Sequence, residues 1–258
     1  VKRYIVEGGT LSGGRLALTG GEAHHAVVVN RLRTGESFVA IDGTGGEFLC
    51  EAAEVSFKRV IGRIIAERFG GGEPSIQVIL AQSLLKGKSL TQALDGAVQM
   101  GISDFIPFTS ARSVARPKSP QTLQTKLEKV AREATKQCER SVIPRVHNLA
   151  TVQRLVEDIA TADIALLLTL AEGAIPLDVA LSGMKDIPQK LLILVGPEGG
   201  FNEDEVGNLR CAGAVAVSLG PRRIRASLAG TIACAGIMMY FKQMLREEKE
   251  WTTVSSAK

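Results

Sequence analysis

Five segments of this 258-residue chain, SIQVILAQSL, DFIPFTSARS, DIALLLTLAE, KLLILVGPEGG and AVAVSLGPRR, are near-continuous apolar runs that stop at Gly, Ser, Thr or a charged residue. A strand with one wet face alternates apolar and polar residues. A strand that is apolar throughout has to be covered on both faces, which is the condition of a parallel sheet between two helix layers. Patterned helical stretches separate the runs, so this part of the chain is expected to be an α/β domain with a mostly parallel sheet. Ligands of such sheets bind beyond the carboxyl ends of the strands. LLILVGPEGGFN places a Gly-Pro-Glu-Gly-Gly turn at one of those ends.

The N-terminal part has a different rhythm. RLALTG, SFVAID, GEFLCEAAEV and RVIGRIIAER are short, often alternating runs separated by Gly-rich turns such as DGTGG, and they imply the strands of a small barrel. Between them, GGEAHHAVVVNRLRTG is expected to form a short helix that carries His24, His25, Arg31 and Arg33 toward one side. FGGGEPS, residues 69–75, sets three glycines and a proline between the two patterned regions, which is linker chemistry. The expected division is a barrel over 1–70, a linker over 71–74 and the α/β domain over 75–258.

A chain with 45% hydrophobic and 22% charged residues can bury real cores, and disorder as a whole is excluded. Cys50, Cys138, Cys211 and Cys234 are far apart and form no C-x-x-C, so neither a disulfide framework nor a zinc ribbon is indicated and a reducing cytoplasm fits. Lys2 and Arg3 precede only a short apolar pair before Glu7, which is not the pattern of a signal peptide. The longest helix-like apolar run, SLAGTIACAGIMMYF at 227–241, is 15 residues, short of the roughly 20 that a membrane span needs. No membrane association is expected. His24, His25 and His147 have no acidic or Cys companions at metal-ligand spacing, so no metal is expected either.

Charge is concentrated in the middle of the chain. Residues 74–150 carry eleven Lys and Arg against five acids, whereas 1–73 is balanced. In SPQTLQTKLEKVAREATKQCERS, Leu123, Leu127, Val130, Ala134 and Cys138 fall on one face of a helix started by Ser119 and Pro120. Lys126, Lys129, Arg132, Lys136 and Arg140 form a stripe beside that face. Such a stripe is either a solvated surface or a phosphate contact.

The glycine-rich segments differ in what they can hold. LLKGKSLTQ follows a strand like the end of a P-loop, but the position five before Gly87 is Gln82, so the nucleotide-phosphate pattern fails. In GPEGGF, Gly196, Gly199 and Gly200 are expected to allow positive φ and close approach of a ligand to the main chain, with Pro197 stiffening the turn. NEDE then makes a capping box of Asn202 and Glu205, and Glu203, Asp204 and Glu205 in the first helical turn disfavour a phosphate. A neutral or cationic ligand suits the turn, although a turn with no ligand could carry the same glycines. Two further strand ends repeat the arrangement: Ser218-Leu219-Gly220 with Arg222 and Arg225, and Thr169 to Glu172. Together they could grip an adenosine-bearing cation.

LVGPEGGFNEDE followed by SLGPRRIR resembles the SPOUT class of S-adenosylmethionine methyltransferases, and within it the ribosomal RNA small-subunit methyltransferase E family. HHAVVVNRLRTGE with IDGTGGEFLCE resembles that family's PUA-like barrel. KGKSLTQALDGAVQMGISDFIPFTSARSV and AREATKQCERSVIPRV are similar to its middle motifs, so the resemblance covers nearly the whole chain. It implies an α/β SPOUT domain with a C-terminal deep trefoil knot after the small PUA-like β-barrel, and a homodimer. It also implies methylation of N3 of one uridine in 16S ribosomal RNA of the assembled small subunit, in the cytoplasm. S-adenosylmethionine would be held by Thr169, Leu170, Glu172, Gly196, Pro197, Glu198, Gly199, Gly200, Ser218, Leu219, Gly220 and Arg225. RNA would be contacted by His25, Arg31, Arg33, Lys86, Arg112, Lys129, Arg132, Lys136 and Arg140.

Arg222 or Arg225 is the candidate to stabilise the uracil anion, or both merely pair with Glu198 or Glu172. Two stretches depart from the family pattern: Ala226-Ser227-Leu228-Ala229 stands for Thr-Glu-Thr-Ala, and Ala97-Val98-Gln99-Met100-Gly101 for Ala-Thr-Glu-Leu-Gly. A SPOUT enzyme acting on another RNA and a catalytically inactive RNA-binding paralogue are the alternatives.

Overall fold

Residues 1–6, 11–244 and 250–254 are described in the computed structural model of the protein. They form two compact units. The first contains Val1–Glu73, Thr135–Ile143 and the described C-terminal residues; the second contains Pro74–Ala134 and continues from Pro144.

The first unit begins with β1 (Arg3–Ile5), β2 (Leu11–Ser12), β3 (Arg15–Thr19) and α1 (Gly20–His24), followed by one turn of π-helix over His25–Val29. Then come β4 (Ser37–Ile41), β5 (Gly46–Val55) and β6 (Arg59–Phe69). The sheet runs β1-β4-β5-β6-β3-β2, antiparallel except for β1 on β4, and a C-terminal strand at Thr252–Thr253 pairs with β6. Alternation in the sequence is what makes this sheet: Phe38 and Ala40 enter the main core with Tyr4, Leu18 and Val60, while Val39 and Ile41 pack on the other face with Ile5. Gly62 is required there, because a Cβ would stand 2.6 Å from the Phe38 ring.

Two expectations change in this unit. The segment 20–33 does not turn its basic residues to one side: His24, Arg31 and Arg33 are exposed, but the half-buried His25 ring lies edge-on to Tyr4 at 6.2 Å. The segment is wound as the wider π-turn, with the Asn30 N–H bonded to the His25 carbonyl five residues earlier at 3.0 Å, so its side chains do not keep the angular spacing of a regular α-helix. The glycine-rich stretch after Phe69 is also more than a tether. Glu73 accepts hydrogen bonds from Arg140 (2.7 Å) and from the backbone N–H groups of Ser141 and Val142 (3.0 Å each). Gly71 leaves room for the buried Glu47 carboxylate, which pairs with Arg3 and Arg68.

The second unit contains β7 (Gln77–Ser83), α2 (Ser89–Gln99), β8 (Asp104–Thr109), α3 (Pro120–Gln137), β9 (Arg145–Val146), β10 (Ala150–Thr151) and α4 (Val152–Ala160). It continues with β11 (Ile164–Leu168), β12 (Ile175–Pro176), α5 (Leu177–Ser182), β13 (Lys190–Val195), α6 (Glu203–Cys211), β14 (Val215–Ser218) and α7 (Ala226–Tyr240). The apolar runs form a parallel sheet, β10-β8-β7-β13-β11-β14-β12, with β9 paired to β8. Both faces are covered, as the lack of alternation requires. Ile79, Ile106, Leu167, Leu192 and Leu194 pack with Leu155 and Ile159 of α4 and Leu209 of α6. On the other face α7 lies close because it is made of small residues: a Cβ on Gly230 would stand 2.9 Å from Leu80.

Helix α3 starts as expected, with the Ser119 hydroxyl accepting from the Thr122 N–H at 3.4 Å. Its basic stripe divides. Lys126 and Lys129 are exposed and Arg132 is half-buried. Lys136 pairs with Glu22 (2.9 Å) and Arg140 with Glu73 inside the first unit, with side chains only 8% and 6% exposed. No helix among the described residues is long and apolar enough to cross a membrane.

Candidate functional site

A cavity of about 1010 Å³ lies at the carboxyl ends of β11, β13 and β14. Strand register explains the convergence: Leu168 pairs with Val195 on one side and Val217 on the other, so the three chains leave the sheet at one level. Leu168, Val195 and Val217 form part of the apolar wall, with Val206 and Ile224. Glu172, Glu198 and Glu203 bring carboxylates, and Arg112, Arg210, Arg222 and Arg223 bring guanidiniums.

The loop after β13 is built from below and from the side. Gln82, fully buried at the end of β7, directs its amide nitrogen toward the carbonyls of Val195 and Gly196 at 3.5 Å, and its own oxygen has no partner among the described residues. Arg112 donates to the carbonyls of Gly199 (3.0 Å) and Phe201 (3.2 Å). Glu198 accepts the Lys86 N–H at 3.0 Å. The capping box is present: the Asn202 side chain accepts the Glu205 N–H at 2.7 Å, and the Glu205 carboxylate accepts the Asn202 N–H at 3.0 Å. Glu205 also takes the Ala111 N–H at 2.7 Å, so one buried carboxylate joins the segment before α3 to the start of α6.

The three glycines of the loop turn out to be unequal. Gly200 alone has a positive φ, 69°, and Gly220 in the third loop has 104°. A Cβ at either would meet nothing within 4 Å, so each keeps space open beside the cavity that it lines. Gly196 is needed for close approach, since its Cβ would stand 3.0 Å from the Phe201 ring. Gly199 is needed for neither: its φ is not positive and its Cβ would make an ordinary 3.5 Å contact with Arg112. The sequence pattern cannot separate them, because the distinction depends on what packs above the loop.

Of the residues expected around a donor, Thr169, Leu170, Glu172, Gly196, Pro197, Glu198, Gly199, Gly200, Leu219 and Gly220 line this cavity. Ser218 and Arg225 do not. Ser218 instead holds the Gly220 turn, its hydroxyl accepting the Gly220 N–H at 3.2 Å. Arg225 precedes α7, and its carbonyl accepts the N–H groups of Leu228 and Ala229. Arg222 lines the cavity and is exposed, and among the described residues neither arginine forms an ion pair with Glu198 or Glu172.

Arg112, expected to meet RNA, is a wall and brace of the loop, while Lys86 is exposed and its backbone N–H donates to Glu198 of the same loop. One face of α6 escaped the sequence pattern altogether. Glu203, Val206, Gly207, Arg210 and Cys211 all line the cavity. Their spacings of three, one, three and one are those of a single helix face. Of the two departures from the family pattern, Ala226 lines the cavity. Val98 and Gln99 do not; Gln99 is exposed and bonds Asp95 at 3.0 Å.

Comparison with known proteins gives a consistent result. An RNA methyltransferase domain family matches residues 72–238 and an RNA methyltransferase PUA domain family matches 18–65. The ribosomal RNA small subunit methyltransferase E of Bacillus subtilis is 32% identical over 253 residues, covering 96% of each chain. A crystal structure described as a hypothetical protein is 29% identical, with a TM-score of 0.80 over 92% of this chain and 97% of that one. The fold is also that of a ribosomal RNA small subunit methyltransferase E from Neisseria gonorrhoeae bound to S-adenosyl methionine, at 22% identity and a TM-score of 0.83 over 93% of this chain and 97% of that one.

Proposed function

This chain belongs to the ribosomal RNA small subunit methyltransferase E family of RNA methyltransferases, and on that premise we propose that it methylates N3 of one uridine in 16S ribosomal RNA of the assembled small subunit. The donor is S-adenosylmethionine, and the work is done in the cytoplasm. The observation that carries this reading is the cavity formed by the three loops after β11, β13 and β14. Its residues fit such a donor. The space kept open at Gly200 and Gly220 admits a ligand against main chain, the apolar wall suits a purine, and a wall with both carboxylates and guanidiniums suits a donor that carries cationic groups and a carboxylate.

When bound, the donor supplies a methyl group on a positively charged sulfur. The residues of this chain hold that group in line with the uracil nitrogen and exclude other arrangements. Uracil N3 has to lose its proton before it can attack, which leaves negative charge on the ring and its oxygens. Arg222, exposed at the cavity wall, is the group assigned to stabilise that charge, and Arg225 supports the start of α7 behind it in sequence. In the first unit Arg31 and Arg33, and in the second Lys86, Lys129 and Arg132, are assigned to RNA phosphates. The strand order supports a SPOUT knot: after β11 the chain returns to insert β13 between β11 and β7, then places β14 on the opposite side of β11.

Mass spectrometry of ribosomal RNA nucleosides from cells lacking this chain tests substrate and reaction together; N3-methyluridine is expected to disappear, and its persistence would overturn the assignment. In single-turnover methylation with saturating enzyme, Arg222→Ala is expected to lower the rate by roughly 10² to 10³ with little change in RNA affinity. Ala226, placed in the cavity wall where the family has a hydroxyl-bearing residue, favours one second reading, an RNA-binding relative without transfer activity. Donor titration and the same turnover assay on the unaltered protein separate the two.

A further inference from the structure

The turn between β5 and β6 presents an aromatic ring that the fold does not use. Ser56, Phe57, Lys58 and Arg59 form a hairpin turn closed by four hydrogen bonds. The Ser56 N–H and hydroxyl both donate to the Arg59 carbonyl at 2.9 Å, and the Arg59 N–H donates to the Ser56 carbonyl (3.3 Å) and hydroxyl oxygen (3.2 Å). The backbone at the tip is therefore fixed by Ser56 and needs nothing from the two residues that it displays. Short hairpins usually place Asn, Asp or Gly there. Here neither Phe57 nor Lys58 has a positive φ, and Phe57 is 78% exposed.

The surroundings of the ring are cationic. Lys58 and Arg59 adjoin it and are exposed. The pairing of Arg59 with Thr19 sets the start of α1 at the same end of the sheet. The 33–36 turn is tied to β5 by the Gly35 N–H to Ala52 carbonyl bond and the Ala52 N–H to Glu36 carbonyl bond, which brings the exposed Arg33 to that end as well. Two carboxylates share the region: Glu36, which accepts the Arg33 N–H at 3.0 Å, and exposed Glu54. One isolated ring is too small an apolar patch for a stable protein interface. A flat ring beside exposed cations has the chemistry that holds an unpaired nucleobase with its flanking phosphates.

We propose that Phe57 is a stacking platform for an unpaired base of the RNA substrate, with Lys58 and Arg59 taking the neighbouring phosphates. This rests on the RNA methyltransferase reading and adds to it a contact in the first unit. The test measures binding of assembled small ribosomal subunits that carry unmodified 16S ribosomal RNA across a salt series for the unaltered protein, Phe57→Ala, Phe57→Trp and Lys58→Ala, alongside donor affinity. Phe57→Ala is expected to weaken RNA binding roughly tenfold or more without changing the salt slope. Phe57→Trp keeps the affinity, and its added indole fluorescence is quenched by RNA. Lys58→Ala reduces the salt slope by about one contact, roughly 0.7 to 0.9. Unaltered affinity in Phe57→Ala, or an indole signal indifferent to RNA, overturns the platform while methylation by the unaltered protein still stands. An unaltered protein that binds no RNA overturns both.

Discussion

At the scale of single residues, the donor loop shows how similar letters carry different burdens. Gly200 holds a left-handed backbone, Gly196 yields to the Phe201 ring, and Gly199 does neither. Gly200→Val is expected to weaken S-adenosylmethionine binding at least tenfold, because a β-branched residue resists a φ of 69° and its side chain enters the cavity. Gly199→Ala is expected to bind within about twofold of the unaltered protein, since its Cβ meets only an ordinary contact. Calorimetric titration of the donor distinguishes them, and equal losses would mean that the loop acts as a flexible whole. The glycines were visible in the sequence, but the crowding that ranks them comes from Phe201 and Arg112, residues whose positions the pattern alone does not give.

Elements are held by a few polar groups whose partners lie far away in the chain. The box at the start of α6 was legible as N-E-D-E, yet its Glu205 also accepts the Ala111 N–H from 94 residues earlier. Removing that carboxylate leaves two N–H groups without their partner, so Glu205→Ala is expected to cost roughly 2–4 kcal/mol. Asn202→Ala, which loses one cap, is expected to cost about 1 kcal/mol. Urea unfolding of the two variants checks the order, and a reversal would mean that the Ala111 contact contributes nothing.

At the opposite ends of the strands, Asp104 of β8 is buried, which by itself raises its carboxyl pKa. Hydrogen bonds from His147 (2.8 Å), Gln77 (3.1 Å) and Ser103 outweigh this and hold it below the usual value. The unfolded chain thus binds the proton more tightly. The stability from this group is present above the ordinary Asp pKa of about 3.9 and is lost as pH falls through the lower folded value. Asp104→Asn is expected to lose less stability than the unaltered protein between about pH 5 and pH 3, which melting curves across that range would show.

For the whole molecule, the decisive surface is the outer side of α7. Ala229, Gly230, Ala233, Cys234, Ile237 and Met238 are buried against the sheet side, whereas Leu228, Ile232, Met239 and Tyr240 are 42–69% exposed. An apolar stripe of that kind on a helix is suited to a second copy of the chain. Light scattering at micromolar concentration is expected to give twice the chain mass, and Ile232→Asp to give a monomer. A monomeric unaltered protein would overturn the homodimer that the family resemblance implies.

What the sequence determined by itself is the part encoded by local pattern. Near-continuous apolar runs specify strands covered on both faces, alternating runs specify the N-terminal sheet, and N-E-D-E specifies a helix start, because each depends on periodicity or on hydrogen bonds a few residues apart. The loop motifs also carried the family. Tertiary structure alone decided which groups meet. It turned the face of α6 into a cavity wall, made Arg112 a brace on the Gly199 and Phe201 carbonyls, and used Lys136 and Arg140 in ion pairs with Glu22 and Glu73. Those partners are separated by up to 114 residues, so no local period announces them; only the order in which the strands are laid beside one another brings them within reach.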